Sequence, residues 1–235
     1  MQLPPLTKGV ILYRYKRFLA DVELDDGSLV TAHCPNTGRM TGCWEPGAPV
    51  ELSYSDNPKR KLAWTLERVD MGRGWVGVNT ARTNSIVAEA ITEGRVPPLS
   101  GYARLQWEVK YDFPDHPPSR LDLMLSEGDS SDALVEIKNV TLLVGDTLQF
   151  PDAVSVRAKK HLDVLMGAVE RGLRGIILFA LNRPEGDTFA PAAEIDPGYA
   201  VRLKEVIDNG VEAYALRLNH QEKGIVGGGM VSVSR

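Results

Sequence analysis

Two alternating apolar stretches, separated by a short gap, carry charged residues that constrain how this chain can fold. In residues 119–125 the alternation places Asp122 on the polar face, and in residues 133–138 it places Glu136 and Lys138 on one face. The leucines of the first stretch share the opposite face: Leu121, Leu123 and Leu125. A period of two predicts β-strands. If the strands pair, two carboxylates and an ammonium share one sheet face, where they can hold a divalent cation and position water against a phosphodiester.

The same charges have a simpler interpretation. A second acid-x-Lys triplet, Glu108-Val109-Lys110, lies on the strand-like run 105–111, and only the Glu136 triplet follows an acidic residue on an alternating strand. In the simpler interpretation both triplets belong to solvated strand faces, with cross-strand ion pairs worth roughly a few tenths of a kcal/mol each. Spacing alone leaves both interpretations open.

Composition bounds the size and the partners of the protein. The 235 residues suit one large domain or two small ones. The formal charge of −4 argues against a wholly basic nucleic-acid coat. Residues 1–80 carry ten Lys and Arg against nine acids, and the remainder carries seventeen against twenty-two. DNA binding is compatible with this balance, because local patches govern phosphate contact.

The cysteines and the apolar segments predict a soluble, cytoplasmic protein. Cys34 and Cys43 are too few for a disulfide framework, and together with His33 they lack an evident fourth zinc ligand. We therefore expect two reduced thiols. The first residues lack the charged start and apolar core of a signal peptide, and no apolar run is long enough to span a bilayer.

Residues 1–80 are predicted to form an all-β domain. Turn signals such as Asp25-Asp26-Gly27 and Glu45-Pro46-Gly47 separate short strand candidates. The candidates are residues 10–15, 18–24, 29–33, 49–53 and 62–69. Five short strands in this length favour a small closed barrel of the OB type, with an SH3-like barrel as the alternative.

Residues 81–235 are predicted to form a mixed α/β sheet with helices on its faces. The predicted helices are residues 85–93, with Asn84 as N-cap, 155–171, and a third that begins at Asp196-Pro197 and runs to about Asp208. Residues 174–181 form a continuous apolar run typical of a strand buried on both faces. Residues 211–218 are predicted as the last strand, and Gly227–Gly229 as a flexible end or a hairpin.

Three basic clusters are candidates for contact with a nucleic-acid backbone. The helix after Lys138 carries basic residues on one flank. In the first domain, one segment places basic residues beside aromatic ones, and another places them in a turn. The candidates are Arg157, Lys160 and His161 on the helix, Arg14, Lys16 and Arg17 beside Tyr15 and Phe18, and Lys59, Arg60 and Lys61. Alternatively, the aromatics are core residues and the charges only solvate the surface. The polar segment 32–40 is a candidate binding loop without an assigned ligand.

Five segments of this sequence resemble the sugar fermentation stimulation protein family of bacteria and archaea. They are residues 13–22 (YRYKRFLADV), 33–38 (HCPNTG), 76–80 (VGVNT), 135–142 (VEIKNVTL) and 150–154 (FPDAV). The resemblance runs nearly end to end. It implies an N-terminal OB-like domain, a C-terminal domain of the PD-(D/E)xK nuclease type, DNA as the partner, and a regulatory role in sugar (maltose) metabolism.

The resemblance also implies roles for particular residues. Asp122 is the strand acid, Glu136 and Lys138 form the Glu-x-Lys pair, and Glu89 is the helical acid. Lys160 and His161 come from the basic helix. Leu121 replaces the proline of the namesake motif, and the connection at residues 112–118 is longer than usual.

These roles predict a DNA-binding protein that holds Mg²⁺ or Mn²⁺ at Asp122 and Glu136. The alternative is an active Mg-dependent nuclease that cleaves DNA phosphodiester bonds. The preference for single or double strands stays open, and a dimer is compatible with the sequence.

Overall fold

A closed β-barrel forms the first half of the protein. The computed structural model describes residues 1–113 and 118–234, so the connection at 112–118 lies mostly outside the described residues. The first strands are β1 (Leu6–Tyr15), β2 (Leu19–Leu24), β3 (Leu29–His33), β4 (Pro49–Tyr54), β5 (Trp64–Asp70) and β6 (Trp75–Gly77). β1 pairs with β2 and β4, β2 pairs with β3, and β4 pairs with β5. A parallel pairing of β3 with β5 closes the barrel, which confirms the OB architecture.

The barrel strands follow from alternating apolar residues and tight turns. Ile11, Val22 and Leu24 alternate with exposed or half-buried neighbours and fill the barrel core with other apolar side chains. Both cysteines are free and buried in or against this core. Burial raises the pKa of each thiol. The two cysteines therefore act as small core residues.

The second half is a mixed α/β sheet, as the sequence predicts. Its elements are α1 (Thr83–Thr92), β7 (Tyr102–Tyr111), β8 (Ser119–Gly128), β9 (Ala133–Val140), β10 (Leu142–Val144), β11 (Thr147–Phe150), α2 (Val156–Val169), β12 (Arg174–Leu181), β13 (Thr188–Pro191), α3 (Pro197–Asp208), β14 (Glu212–His220) and β15 (Ile225–Val233). In the described residues the strand order is β10-β11-β13-β15-β14-β12-β9-β8-β7. The glycine-rich tail belongs to β15, which forms a hairpin with β14.

Two cores cover the faces of this sheet. One core packs beneath α1, and the other packs beneath α2 and α3. Apolar strand β12 lies between β9 and β14 with parallel neighbours on both sides, which explains its unbroken apolar sequence. Ser155 caps α2, and Asp196 caps α3 with Pro197 in its first turn, so the predicted starts of both helices are confirmed.

The predicted start of α1 is wrong. The helix begins at Thr83, and a 3₁₀ turn that precedes it ends at Arg82, so Asn84 lies inside the first turn rather than at the N-cap. The side chain of Asn84 donates a hydrogen bond to Asp122 on β8 instead. The side chain of Asn84 therefore makes a tertiary hydrogen bond instead of capping the helix.

Buried polar contacts fix the barrel against the sheet. Arg68 of β5 is buried and donates to Glu51 (Nε to Oε2, 2.6 Å) and to the carbonyl of Gln221 (2.7 Å) in the β14–β15 turn. Gly77 N donates to the Asn182 carbonyl at 2.8 Å. A Cβ at Gly77 would lie 2.1 Å from Asn182 Oδ1, so this approach requires glycine.

His220 at the same junction is expected to make the protein sensitive to acid. Its Nε2 bonds Asn182 Oδ1 at 2.7 Å, whereas its buried Nδ1 has no partner among the described residues. Burial, with the charge of Arg68, lowers the pKa of His220 to about 4. The unfolded chain therefore takes up this proton first, and stability that is complete above pH ~6.5 is lost as the pH falls towards ~4.

We expect the wild type to lose about 2 kcal/mol more unfolding free energy between pH 8 and pH 5 than His220→Gln does. Urea unfolding of both proteins at the two pH values measures this difference. Glutamine keeps a donor for Asn182 but does not titrate, so other groups cancel in the comparison. Equal losses in the two proteins would contradict the assignment.

Candidate metal and nucleic-acid site

β8 and β9 separate at the position of the predicted acid. The two strands pair as far as Leu123 and Val135. Beyond that point the N–H of Ile137 donates to Asp122 Oδ2 at 2.8 Å, where the ladder with β8 would otherwise continue. Asn84 Nδ2 donates to Asp122 Oδ1, also at 2.8 Å. The carboxylate of Asp122 is thus held in the gap between the diverging strands.

The divergence also changes which face Leu121 occupies. Leu123 and Leu125 pack in the core beneath α1, but Leu121 packs in the core beneath α2 and α3. The prediction that all three leucines share one face is therefore wrong for Leu121. Glu108, on β7 beside the irregular part of β8, has a φ of 49°, which is unusual outside glycine. A strict period of two does not anticipate such a local distortion.

The second acid-x-Lys triplet, Glu108-Val109-Lys110, lies on a solvated strand face, as in the simpler interpretation. Glu108 is exposed and pairs with Arg120 at 2.9 Å across the β7–β8 surface. This is a solvated ion pair of low expected energy. The two triplets of the sequence therefore differ in burial, which alternation alone did not reveal.

Glu136 is the buried centre of the site. The residue is 3% exposed, and its Oε1 accepts hydrogen bonds from Lys138 Nζ at 2.5 Å and from His161 Nδ1. Its Oε2 is buried and has no hydrogen-bond partner in residues 1–113 and 118–234. Burial acts to raise the pKa of Glu136, but the His161 hydrogen bond and the charge of Lys138 outweigh it and lower the pKa. Glu136 is therefore ionised at neutral pH.

Asp122 supplies a second carboxyl group, whose ionised form is destabilised by its surroundings. Burial, and then the negative charge of Glu136, raise the pKa of Asp122 to about 6. The hydrogen bond from Ile137 N–H and the charge of Lys138 oppose that rise. At neutral pH both carboxylates are ionised, and their repulsion is only partly compensated by Lys138.

The residues present fit a hard divalent cation. The described part of the chain holds no group of three or more His, Cys, Asp and Glu side chains arranged as metal ligands. Mg²⁺, however, usually takes one or two carboxylates and keeps several waters. Glu136 offers a buried oxygen, Oε2, that has no hydrogen-bond partner among the described residues, and Asp122 offers a second carboxyl group, whose pKa is raised. Together they match that requirement.

Helix α2 contributes a buried histidine rather than a wholly exposed basic flank. His161 was predicted to contact a nucleic-acid backbone, but its ring is buried against Glu136. Arg157 Nε lies 3.4 Å from His161 Nε2. Nε2 accepts from Arg157, and Nδ1 contacts both Glu136 Oε1 and, at 3.2 Å, Lys138 Nζ. Lys160 donates to the carbonyl of Pro118 at 2.8 Å, beside the start of β8.

Glu89 does not join the two carboxylates. Its half-exposed side chain pairs with the α-amine of Met1. On a helix Glu89 lies five residues beyond Asn84, which contacts Asp122, and so projects from a different side of α1. The helical acid implied by resemblance therefore has a different partner in this chain.

Two residues of the site were missed by sequence reasoning. Asn84 was assigned to a helix cap, and Tyr199 of α3 carries no local signal beyond helical periodicity. The Tyr199 ring packs edge-on to Phe150 at 5.4 Å, and its buried hydroxyl has no partner within the described chain. Burial raises the pKa of Tyr199, and the charge of Glu136 adds to that rise. Tyr199 therefore stays protonated.

The predicted basic residues of the barrel divide into structural and exposed ones. Arg14 is structural, because its Nη2 donates to the carbonyls of Arg17 (2.6 Å), Asn36 (2.8 Å) and Gly38 (3.0 Å). It is not the free phosphate contact that the sequence predicted. Lys16 and Arg17 are exposed in the β1–β2 turn, with φ of 49° and 66°.

The β4–β5 loop brings the other basic segment to the same place. Lys59 and Lys61 are exposed, whereas Arg60 Nη2 donates to Thr65 Oγ1 at 2.5 Å. A groove of about 420 Å³ lies between this loop and the β1–β2 turn. It is lined by Phe18, Leu19, His33, Arg60, Lys61 and Leu62. Phe18 is 46% exposed rather than a core residue. OB-folds bind oligonucleotides and oligosaccharides with these two loops.

Fold and site together define a class of protein: an OB barrel joined to a nuclease-like α/β sheet whose diverging strands carry an aspartate and a Glu-x-Lys pair. Residues 12–78 match the family model described as the SfsA N-terminal OB domain. Residues 81–224 match the model of the sugar fermentation stimulation protein RE domain. The chain belongs to the sugar fermentation stimulation protein family. Among its described helices, none has the length and apolar character needed to cross a membrane.

Curated relatives and one solved structure are similar over almost the whole chain. The sugar fermentation stimulation protein homologue of Magnetococcus marinus is 52% identical over 213 residues, covering 90% of each chain. The homologue of Geobacter sulfurreducens is 51% identical, covering 92% of this chain and 91% of the relative. The structure of Pyrococcus furiosus SfsA in complex with Ca²⁺ has a TM-score of 0.88 at 27% identity, covering 100% of this chain and 98% of the other.

Proposed function

We propose that this chain is a cytoplasmic DNA-binding protein that holds a divalent cation, Mg²⁺ or Mn²⁺, at Asp122 and Glu136. The observation that carries the proposal is the buried Oε2 of Glu136, which has no protein partner within the described residues, beside a second carboxyl group with a raised pKa. A cation there removes the repulsion between the two carboxylates. The Ca²⁺ bound by the similar Pyrococcus furiosus protein supports a divalent ion of this kind.

The surrounding side chains have distinct tasks in this proposal. His161 orients Glu136 through Oε1 and leaves Oε2 for the ion. Lys138, 2.5 Å from Oε1, places an ammonium where a bound phosphate would carry negative charge. A cation at this position supplies Lewis-acid chemistry, which polarises phosphate and makes water more acidic.

The barrel supplies the main contact with DNA. Lys61 lines the groove that contains Phe18, and Lys16, Arg17 and Lys59 are exposed on the two loops that flank it. Basic side chains around an exposed aromatic ring are the elements with which barrels hold a backbone and stack on bases. A regulatory role in maltose metabolism, which the family resemblance implies, would depend on this binding.

Loss of two groove lysines is expected to weaken DNA binding in a salt-dependent way. For Lys16→Ala/Lys61→Ala we expect the slope of log K against log salt to become shallower by about 1.8 for duplex DNA, or about 1.4 for a single strand, because two phosphate contacts are lost. Fluorescence anisotropy of labelled DNA in Ca²⁺, measured at four salt concentrations, gives the slope.

The matched control is Lys204→Ala/Lys223→Ala, which removes the same charge from exposed positions outside the groove. We expect the control to keep the wild-type slope. If the groove variant and the control give the same slope, the barrel groove is not the DNA contact. If the wild type shows no binding to either form of DNA, the proposed function is wrong.

Metal-dependent cleavage of DNA is the second candidate function, and the placement of Lys138 favours it. A protein that only clamps DNA gains nothing from two buried carboxylates facing phosphate, since their repulsion weakens binding unless a cation intervenes. Lys138 lies two residues from Glu136 on the same face of β9 and contacts it directly. This arrangement provides charge stabilisation as well as cation binding.

A further inference from the structure

A second cleft lies where the barrel meets the sheet, at the end of β9. Its volume is about 210 Å³. One wall comes from the loop at residues 36–38 of the barrel, and the other comes from residues 139–142 and 149–152 of the sheet domain. The barrel loop is part of the polar segment 32–40, for which the sequence offered no ligand. Asn139 in the opposite wall directly follows Lys138.

Contacts between the two domains hold the walls of this cleft in place. Arg39 N donates to Asp152 Oδ2 of the sheet domain at 2.9 Å, and on the barrel side Thr80 Oγ1 donates to the Pro35 carbonyl at 2.6 Å. A Cβ at Gly38 would lie 2.6 Å from Asp152 Oδ2, so the loop approaches the sheet domain as closely as glycine permits. Arg14 fixes the same loop from behind through two of its carbonyls. The cleft is a preformed site.

The cleft presents amide and hydroxyl groups that the protein itself does not use. Asn36 is 7% exposed, and its Oδ1 accepts from Gly38 N, but its Nδ2 has no hydrogen bond within the described residues. Asn139 Oδ1 accepts two hydrogen bonds, from Thr83 and Asn182, whereas its Nδ2 makes none to the described chain.

Three further side chains of the lining are likewise unpaired. The amide of Gln149 and the hydroxyls of Thr37 and Thr141 donate and accept no hydrogen bond within residues 1–113 and 118–234. Such groups are complementary to a ligand that offers both donors and acceptors. None of these polar atoms is among the buried unpaired ones, so each is open to solvent and accessible to a ligand that enters the cleft.

The charge of the cleft excludes phosphate as that ligand. Among the described lining residues Asp152 is the only charged side chain, and one of its oxygens accepts from Arg39 N. Neither lysine nor arginine is among those residues. A neutral ring with hydrogen-bonding edges suits this environment, and the volume is smaller than that of a site for a drug-sized ligand.

We propose that the cleft binds one nucleobase of the DNA whose backbone lies at Asp122 and Glu136. This inference rests on the proposed function, because it makes the ligand a part of the bound DNA. Glu136 and Asn139 are three residues apart on β9, roughly 10 Å, and their side chains leave opposite faces of the sheet. The cleft nevertheless extends to the Glu136 face, because its lining residue Phe150 packs on Tyr199 of α3. A base drawn out of the stack would meet the amides of Asn36, Asn139 and Gln149, the side-chain type that reads base edges with paired hydrogen bonds.

The test uses free deoxynucleosides, which carry no phosphate. Saturation-transfer NMR is recorded for each of the four deoxynucleosides and for maltose, with wild type, Thr37→Val/Gln149→Leu and Lys16→Ala/Lys61→Ala. Both cleft substitutions remove polar groups without touching the bonds of Asn36 or Asn139, and thermal melts check that the variant is folded. We expect transfer to at least one nucleoside, reduced at least about fivefold in the cleft variant and unchanged in the groove variant.

Three results would overturn the proposal: no transfer to any nucleoside, transfer that is undiminished in the cleft variant, or transfer to maltose alone. DNA anisotropy on the same samples separates this failure from that of the proposed function. Normal DNA binding without nucleoside transfer would show that the cleft is not a base site, and the proposed DNA-binding function would still be supported. Nucleoside transfer that depends on the cleft, in a protein that does not bind DNA, would support nucleoside binding in the cleft and would contradict the proposed DNA-binding function.

Discussion

Lys138→Ala is expected to lower metal-dependent DNA cleavage by about 10²–10³-fold, which is the usual effect of removing one charge-stabilising donor from an active site. The ammonium of Lys138 is the cationic group nearest to Glu136 in the described site, at 2.5 Å from Oε1. Its loss leaves negative charge on a phosphate uncompensated on that side. The assay is incubation of supercoiled plasmid and linear duplex with Mg²⁺, Mn²⁺ or EDTA.

The second acid-x-Lys triplet offers a matched control for this experiment. Lys110→Ala removes the same side chain from an exposed strand position, and we expect full activity. Lys138→Met keeps the aliphatic stem and separates loss of charge from loss of packing. Because all variants are purified identically, a contaminating nuclease would act equally in every sample.

The outcomes assign the protein to one of two classes. Cleavage that needs metal and disappears in Lys138→Ala makes it an enzyme. Cleavage that persists in that variant shows that the site is not responsible. Binding without cleavage in any metal makes it a DNA-binding protein, and the buried carboxylates then serve the cation alone.

Asp122→Asn is expected to raise the unfolding free energy of the metal-free protein at pH 8 by up to about 3 kcal/mol. The pKa of Asp122 in the folded state is about 6, against an ordinary value of 3.8, and a difference of about two pKa units corresponds to about 3 kcal/mol. The folded state holds this proton more tightly than the unfolded state. Stability therefore falls as the pH rises from ~3.8 to ~6 and stays low above that pH.

Asparagine removes the charge and keeps the contacts. Its oxygen can accept from Ile137 N–H, and its amide nitrogen meets Asn84, whose own amide presents oxygen after a flip. Urea unfolding at pH 8 in EDTA gives the free energy. Asp129→Asn, at an exposed position in the β8–β9 connection, is the control and should change nothing. A destabilised Asp122→Asn would contradict the raised pKa.

The same variant tests the cation site. In wild type we expect Mg²⁺, Mn²⁺ or Ca²⁺ to raise the unfolding free energy by RT ln(1 + [M]/Kd), and calorimetry to give a binding isotherm. In Asp122→Asn both responses should disappear. Indistinguishable calorimetric curves for wild type and Asp122→Asn would show that Asp122 does not bind the cation.

Local features that the sequence predicts reliably are those determined within one element. Glu136 and Lys138 share a face because they are two residues apart on one strand, and their direct contact follows from that spacing. The caps at Ser155 and Asp196 are local hydrogen bonds, and the barrel turns depend on neighbouring residues. The barrel also follows from strand lengths and turn spacing, although the pairing of β3 with β5 decided between OB and SH3-like forms.

The unexpected features all depend on contacts between distant segments. His161 lies on the flank of α2 that periodicity assigns, but only the packing of α2 over β9 buries that flank against Glu136. Arg14 is basic and next to a turn, yet its partners are carbonyls about twenty residues away. Glu89 points towards Met1 because of where α1 lies over the sheet.

The amino-acid sequence by itself determined the two domain types, the strand that carries Glu136 and Lys138, and the family. These follow from hydrophobic period, turn chemistry and motif, which act over a few residues. The tertiary structure alone decided that β8 and β9 diverge at Asp122, that His161 supports Glu136, and that two distant loops form the second cleft. Register and packing between distant segments control those contacts, and local periodicity carries no information about either.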